Sequence, residues 1–170
     1  MSVPGPEEAI VAGRVLMVIS AGAGALEPAA RSAAAVARES GGVVRMAWMQ
    51  PLPPPRVDHH DRVVADTDRE MARLSETARE RMRPLTWDFG EVDVEPVVRF
   101  GRLATELAVE AHAWGADLIG LTAPARPSLR HHLRARYLAR RVTVPLVLLP
   151  IQRPGGEDRG RESIVLPALC

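Results

Sequence analysis

Residues 92–122 read VDVEPVVRFGRLATELAVEAHAWGADLIGLT, and the rest of the fold follows from them. Val92, Val94, Val97 and Val98 make a strand, with Asp93 and Glu95 turned the other way at its start. Gly101 opens a helix in which Leu103, Leu107 and Ala111 line one face, and Gly115 ends it. The apolar run DLIGLT (117–122) is the next strand. A strand, a helix and a second strand in this order make a right-handed crossover between parallel neighbours.

Working outward toward the C-terminus, 123–128 is a breaker-rich loop, and Ser128 can cap a strongly basic helix over about 129–141. In that helix the spacing predicts that Leu129, Leu133 and Tyr137 or Leu138 face inward. VPLVLL (144–149) is a fifth strand. Toward the N-terminus, Thr67 and Glu70 fit a capping box, followed by Met71, Leu74, Ala78 and Met82 at helical spacing with Pro84 as the stop. The stretch 51–66 has no clear period. VVRMAWM (43–49) and VLMVI (15–19) are the remaining strands, joined by an alanine-rich helix between Pro28 and Gly41–Gly42. The expected organisation is a leader (1–12), one domain (13–151) and a tail (152–170) whose apolar end (163–169) would add an edge strand or dock on a partner. Five strands alternating strictly with four helices imply a parallel α/β sheet covered on both faces. Ligands then sit beyond the carboxyl ends of the strands, where the winding reverses.

Composition narrows the function classes. The chain has 170 residues, 22 basic against 21 acidic, for a net charge of +1. That excludes a globally polybasic nucleic-acid coat but not a local basic patch. No lysine and no asparagine occur, the bias a GC-rich genome produces, so lysine nucleophiles, Schiff bases and P-loop lysines are excluded. The apolar runs fall short of the ~20 residues a membrane span needs, and the N-terminus lacks a signal-peptide pattern. Cys170 is the single cysteine, so no internal disulfide forms. The expectation is a soluble, cytoplasmic protein.

Residues 92–122 resemble the second half of the universal stress protein family, with its V-x-V-E strand, helix-opening glycine and Gly-Ala-Asp-Leu-Ile (115–119). Residues 14–42 and 142–150 resemble its beginning and final strand, so the resemblance covers roughly 13–151. It implies a single doubly wound five-stranded parallel sheet of order 3-2-1-4-5, helices on both faces, and a homodimer formed through the last strand, here Val144, Leu146 and Leu148.

The resemblance also implies a test for nucleotide binding. Members that bind ATP have an aspartate ending the first strand, two glycines after the fourth and a Gly-Ser or Gly-Thr pair further on. In this chain those positions hold Ser20, then Thr122 and Ala125, then Ala135 and Arg136. Pro124 removes a backbone donor within the would-be phosphate loop. The family's usual ATP mode is therefore not expected. A remnant cleft of Ser20, Gly22, Gly24, Thr122, Arg126 and Arg136 would take an adenine nucleotide only in a divergent way.

The remaining signals read mostly as structure. Gly22-Ala-Gly24 lacks the third glycine and strand-end acid of a dinucleotide fingerprint, so it reads as a tight turn. His59-His60 and His131-His132 are adjacent pairs whose rings point apart, poor metal ligands. No catalytic constellation occurs. Arg126, Arg130, Arg134, Arg136, Arg140 and Arg141 lie on or beside the basic helix, and no acid occurs between Ser128 and Pro150. Of these, Arg130, Arg134, Arg140 and Arg141 form a candidate surface for a protein partner or an anion. Nucleic acid is disfavoured because stacking aromatics are nearly absent. The expected function is a non-enzymatic regulatory or protein-interaction module without cofactor. A divergent nucleotide binder and an arginine-rich anion or RNA adaptor are the alternatives.

Overall fold

Five consecutive apolar side chains, Val15 to Ile19, are all buried in β1 (Arg14–Ser20). A strand buried on both faces must be covered on both faces, and that sets the architecture. The structure is a computed structural model and describes residues 12–20, 25–60, 63–86, 90–124, 126–151 and 165–166. The elements that follow are α1 (Glu27–Glu39), β2 (Val43–Gln50), a short antiparallel pair β3 (Arg56–Val57) and β4 (Val63–Ala65), and α2 (Thr67–Met82). Next come β5 (Asp93–Phe100), α3 (Leu103–Trp114), β6 (Leu118–Pro124), α4 (Leu129–Ala139), β7 (Leu146–Ile151) and β8 (Val165–Leu166). The main sheet has the order β5-β2-β1-β6-β7-β8. Its five parallel strands have the expected 3-2-1-4-5 order.

Alternation along β1 divides the core. Val15, Met17 and Ile19 join the alanines of α1 with Met46, Trp48 and Met82. Leu16 and Val18 join Leu107, Ala111 and Trp114 of α3 and Ala135 and Leu138 of α4. Helix α1 turns Ala29, Ala30, Ala33, Ala34 and Ala37 to the sheet, and residues this small let its axis lie close. Where β1 and β2 begin, Val43 N donates to Gly13 O at 2.8 Å. A Cβ on Gly42 would stand 2.2 Å from that same oxygen, so only glycine fits.

A buried carboxylate ties β2, β5 and α3 together. Glu110 is 1% exposed. Its Oε1 accepts from Arg45 Nη1 at 2.9 Å and its Oε2 from Arg99 Nε at 2.6 Å. Arg45 also donates to Glu95 Oε2 from Nε at 3.0 Å and Nη2 at 2.6 Å. Burial alone would lower the Arg45 pKa, but hydrogen bonds to Glu95 and Glu110, with their charges, outweigh it and hold the guanidinium above its ordinary value. The same guanidinium lies 4.7 Å from the Trp114 ring centroid. Arg14 lies 5.5 Å from it on β1 and donates to Trp114 O at 2.7 Å.

Four sequence expectations change. Helix α2 is capped by Asp66, whose side chain accepts from Arg69 N at 2.9 Å, one residue before the expected Thr67, while Glu70 pairs with Arg73. The aperiodic stretch 51–66 contains the β3–β4 pair. β6 continues into the expected loop, with Ala123 opposite Pro150 and Pro124 opposite Ile151. In α4, Ala135 and Leu138 are the buried residues, and Leu129, Leu133 and Tyr137 are exposed. The apolar end of the tail takes the edge-strand placement, β8 pairing antiparallel with β7 at Leu146 and Val147.

Gly42→Ala should destabilise by roughly 2 kcal/mol through overpacking, lowering Tm by about 4–8 °C for a domain of this size. Glu110→Ala should cost at least as much, about 2–3 kcal/mol, because Arg45 Nη1 and Arg99 Nε lose their charged acceptor and Arg45 is left with Glu95 alone. Urea unfolding of both variants checks the order.

Candidate functional site

In this sheet α1 and α2 lie on one face and α3 and α4 on the other, so the winding reverses between β1 and β6. Their carboxyl ends define the crevice where α/β sheets place ligands. Ser20 ends β1, opposite Met49 in the register, and is half-buried. Thr122 lies on the neighbouring β6, one residue past the Val18–Leu121 pairing, and its Oγ1 donates to Val18 O at 3.0 Å. That hydroxyl therefore ties β6 to β1. Gly22 and Gly24 lie outside the described residues.

The structure adds Gln50 at the end of β2. Its carbonyl accepts from Gly101 N at 2.9 Å, which fixes the backbone between β2 and the start of α3. Its side-chain Nε2 is buried and has no hydrogen-bond partner among the described residues. A buried amide donor without a partner costs free energy, which marks it as a group available to a ligand. Nothing in the sequence signals this, since the burial comes from the neighbouring strands and not from Gln50 itself. Ser20, Gln50 and Thr122 are neutral donors and acceptors. They can orient a small polar molecule and cannot serve as acid or base near neutral pH.

Of the arginines assigned to the cleft, Arg126 is exposed in the segment that leaves the carboxyl end of β6 for α4. Arg136 is exposed on α4, roughly 12 Å along the axis from the helix start, so it is not brought to the strand ends with Ser20 and Thr122. The helix start itself is closed locally: Ser128 N donates to His131 Nδ1 at 3.2 Å, and Ser128 Oγ lies 2.8 Å from the same nitrogen. Arg130, Arg134, Arg140 and Arg141 are all exposed. His59 and His60 are exposed, and against the expectation that adjacent rings point apart, their centroids lie 3.9 Å from each other.

At the far edge, Leu146 and Leu148 are buried in the α3–α4 side of the core and Val144 is half-buried before β7 begins. The edge therefore offers backbone and not these side chains. β8 pairs with Leu146 and Val147, while β6 pairs with β7 from Leu146 to Ile151. Among the described residues no helix is long and apolar enough to cross a membrane.

The sequence model described as the Universal stress protein family matches residues 12–150. The chain belongs to the universal stress protein family. No curated protein matches it. Among solved structures, it is similar to a universal stress protein in complex with cAMP at 16% identity and TM-score 0.53, covering 82% of this chain and 97% of that one. It is similar to the universal stress protein from Archaeoglobus fulgidus in complex with dAMP at 17% identity and TM-score 0.53, covering 80% and 96%. It is also similar to a family protein from Burkholderia pseudomallei at 20% identity and TM-score 0.51, covering 87% and 100%. At such identities the likeness shows the fold.

Gln50→Met removes the buried amide and keeps the volume. It should raise stability by about 1 kcal/mol in urea unfolding, because the cost of a donor without a partner disappears.

Proposed function

We propose that this universal stress protein is a non-enzymatic association module whose strand-end cleft does not hold ATP in the family's usual mode. The observation that carries the reading is the course of β6. It stays in the ladder with β7 through Pro124, where a glycine turn would have to leave the sheet and present backbone N–H groups to phosphate. Pro124 has no N–H to present. Two further features support it: the Thr122 hydroxyl is engaged by Val18 O, and the start of α4 is closed by Ser128 and His131. The protein works in the cytoplasm as a homodimer through the outer edge of β7, where, among the described residues, β8 pairs with Leu146 and Val147.

A second reading has its own observation. The Gln50 amide could serve a divergent adenine-nucleotide site, and two proteins of similar fold were solved with cAMP and dAMP. Thermal unfolding with ATP, cAMP and dAMP separates the readings. A ligand at a hundredfold excess over Kd stabilises by ~2.7 kcal/mol, a rise of roughly 5–11 °C in Tm. We expect no rise with ATP, and native mass spectrometry should show a dimer free of nucleotide. A rise with any of the three that Gln50→Met abolishes would establish the second reading.

A further inference from the structure

Helix α4 uses little of itself to hold the fold. Ala135 and Leu138 are its buried residues. At about 100° per residue, Leu129, Leu133 and Tyr137 fall at the centre of the opposite side. They are 72%, 55% and 49% exposed. Arg130 and Arg134 border this ridge on one flank and Arg136 on the other, while Arg140, the C-cap residue, and Arg141 just beyond it stand at its C-terminal end. The Arg141 guanidinium lies 5.0 Å from the Tyr137 ring centroid. A helix face made for water has polar residues at its centre; here the centre is apolar and the cations stand at its borders.

These cations form no ion pair with any described residue, unlike several on the other helices. Arg31 pairs with Glu27, Arg73 with Glu70 and Arg79 with Glu76. None of the five arginines on or just after α4 has an ion pair among the described residues. The neighbouring helix on the same face adds no outward acid: α3 exposes Thr105, Val109, His112 and Ala113, while Glu110 is buried and Glu106 half-buried.

We infer that the α3–α4 face docks on an anionic lipid bilayer, with Leu129, Leu133 and Tyr137 entering the interface and the flanking arginines on the headgroups. Arginine and leucine at these places suit a bilayer because the long stems of Arg130, Arg134, Arg136, Arg140 and Arg141 can lie along the apolar boundary while their guanidinium groups reach phosphate. Cations on both flanks of a convex ridge reach one plane together. A second copy of the chain would set two groups of five arginines against each other. RNA would find one exposed aromatic, Tyr137, on the ridge for its bases to stack on. This docking goes beyond the association reading above and is independent of the cleft and of β7.

The test is co-sedimentation of the full chain with vesicles of phosphatidylcholine alone and of phosphatidylcholine mixed equally with phosphatidylglycerol. Binding should require phosphatidylglycerol and fall as salt is raised. Arg130→Ala with Arg134→Ala, and separately Leu129→Ser with Leu133→Ser, should each weaken it by roughly tenfold or more. Arg69→Ala with Arg83→Ala, on exposed positions of the opposite side, should leave it unchanged. In the unaltered chain, hydroxyl-radical labelling of Tyr137 should drop when mixed vesicles are present, a readout that needs no variant to fold. Absence of sedimentation with mixed vesicles overturns the inference, as does binding that survives either α4 double variant. Retention on polyuridylate or polyglutamate with vesicles left unbound overturns it in favour of RNA or an acidic protein. If only the vesicle arm fails, a dimer free of nucleotide still supports the association module; nucleotide binding refutes that module and leaves the vesicle result untouched.

Discussion

Burial of β1 on both faces is the constraint from which the rest of the structure follows. Val15, Met17 and Ile19 need one cover, Leu16 and Val18 another, and a strand with only one would leave apolar side chains in water. The covers differ in kind. On one face five alanines bring α1 close to the sheet. On the other, Leu107 and Trp114 fill the space that α3 leaves, and α4 needs only a small and a medium residue to complete it. Gly42 belongs to the same constraint, since the parallel pairing of β1 and β2 starts where its missing side chain lets Gly13 approach.

The Glu110 cluster answers a different problem, the open edge at β5. An exposed edge strand invites pairing with other chains, and charge or proline there discourages it. β5 carries Glu95, Pro96 and Arg99 on its half-exposed length. Through Arg45 and Glu110 those edge charges are tied to α3 as well, so the edge is both discouraged from pairing and fixed in place. At the other end of the sheet β8 partly covers β7. The two edges are thus managed by unlike means, side-chain charge at β5 and a returning segment of chain at β7.

The fold was legible in the sequence because its signals are the coarse ones: apolar runs for buried parallel strands, glycine and proline at helix boundaries, and strict alternation. What was missed lay below that grain. β3 and β4 have two and three residues, too few to show a period. Asp66 and Thr67 both have side chains able to cap, and propensity alone does not choose between neighbours. Pro124 reads as a strand end, yet at the last ladder position its lost donor breaks little. In the candidate site Ser20 and Thr122 were readable from their places after strands. Gln50 was not, because its significance is a buried atom without a partner and no residue type announces that.

Helix α4 shows why periodicity identifies a face but not its direction. Spacing alone assigns Leu129, Leu133 and either Tyr137 or Leu138 inward, and of these Leu138 is the one that is buried. The fold turns Ala135 and Leu138 inward, into the cluster with Leu146 and Leu148, and leaves the larger stripe outside. The cations around it are arginine in a chain that has no lysine at all, so their type carries no signal. Composition does not explain why a chain with nearly equal numbers of acids and bases has no acid from Leu129 to Leu149. Nor does the fold need three large apolar residues at the centre of a solvent-facing helix, where they favour association. A surface that neither composition nor packing accounts for is shaped by what it meets, and on this helix both its charge and its ridge point to an anionic, apolar-cored counterpart.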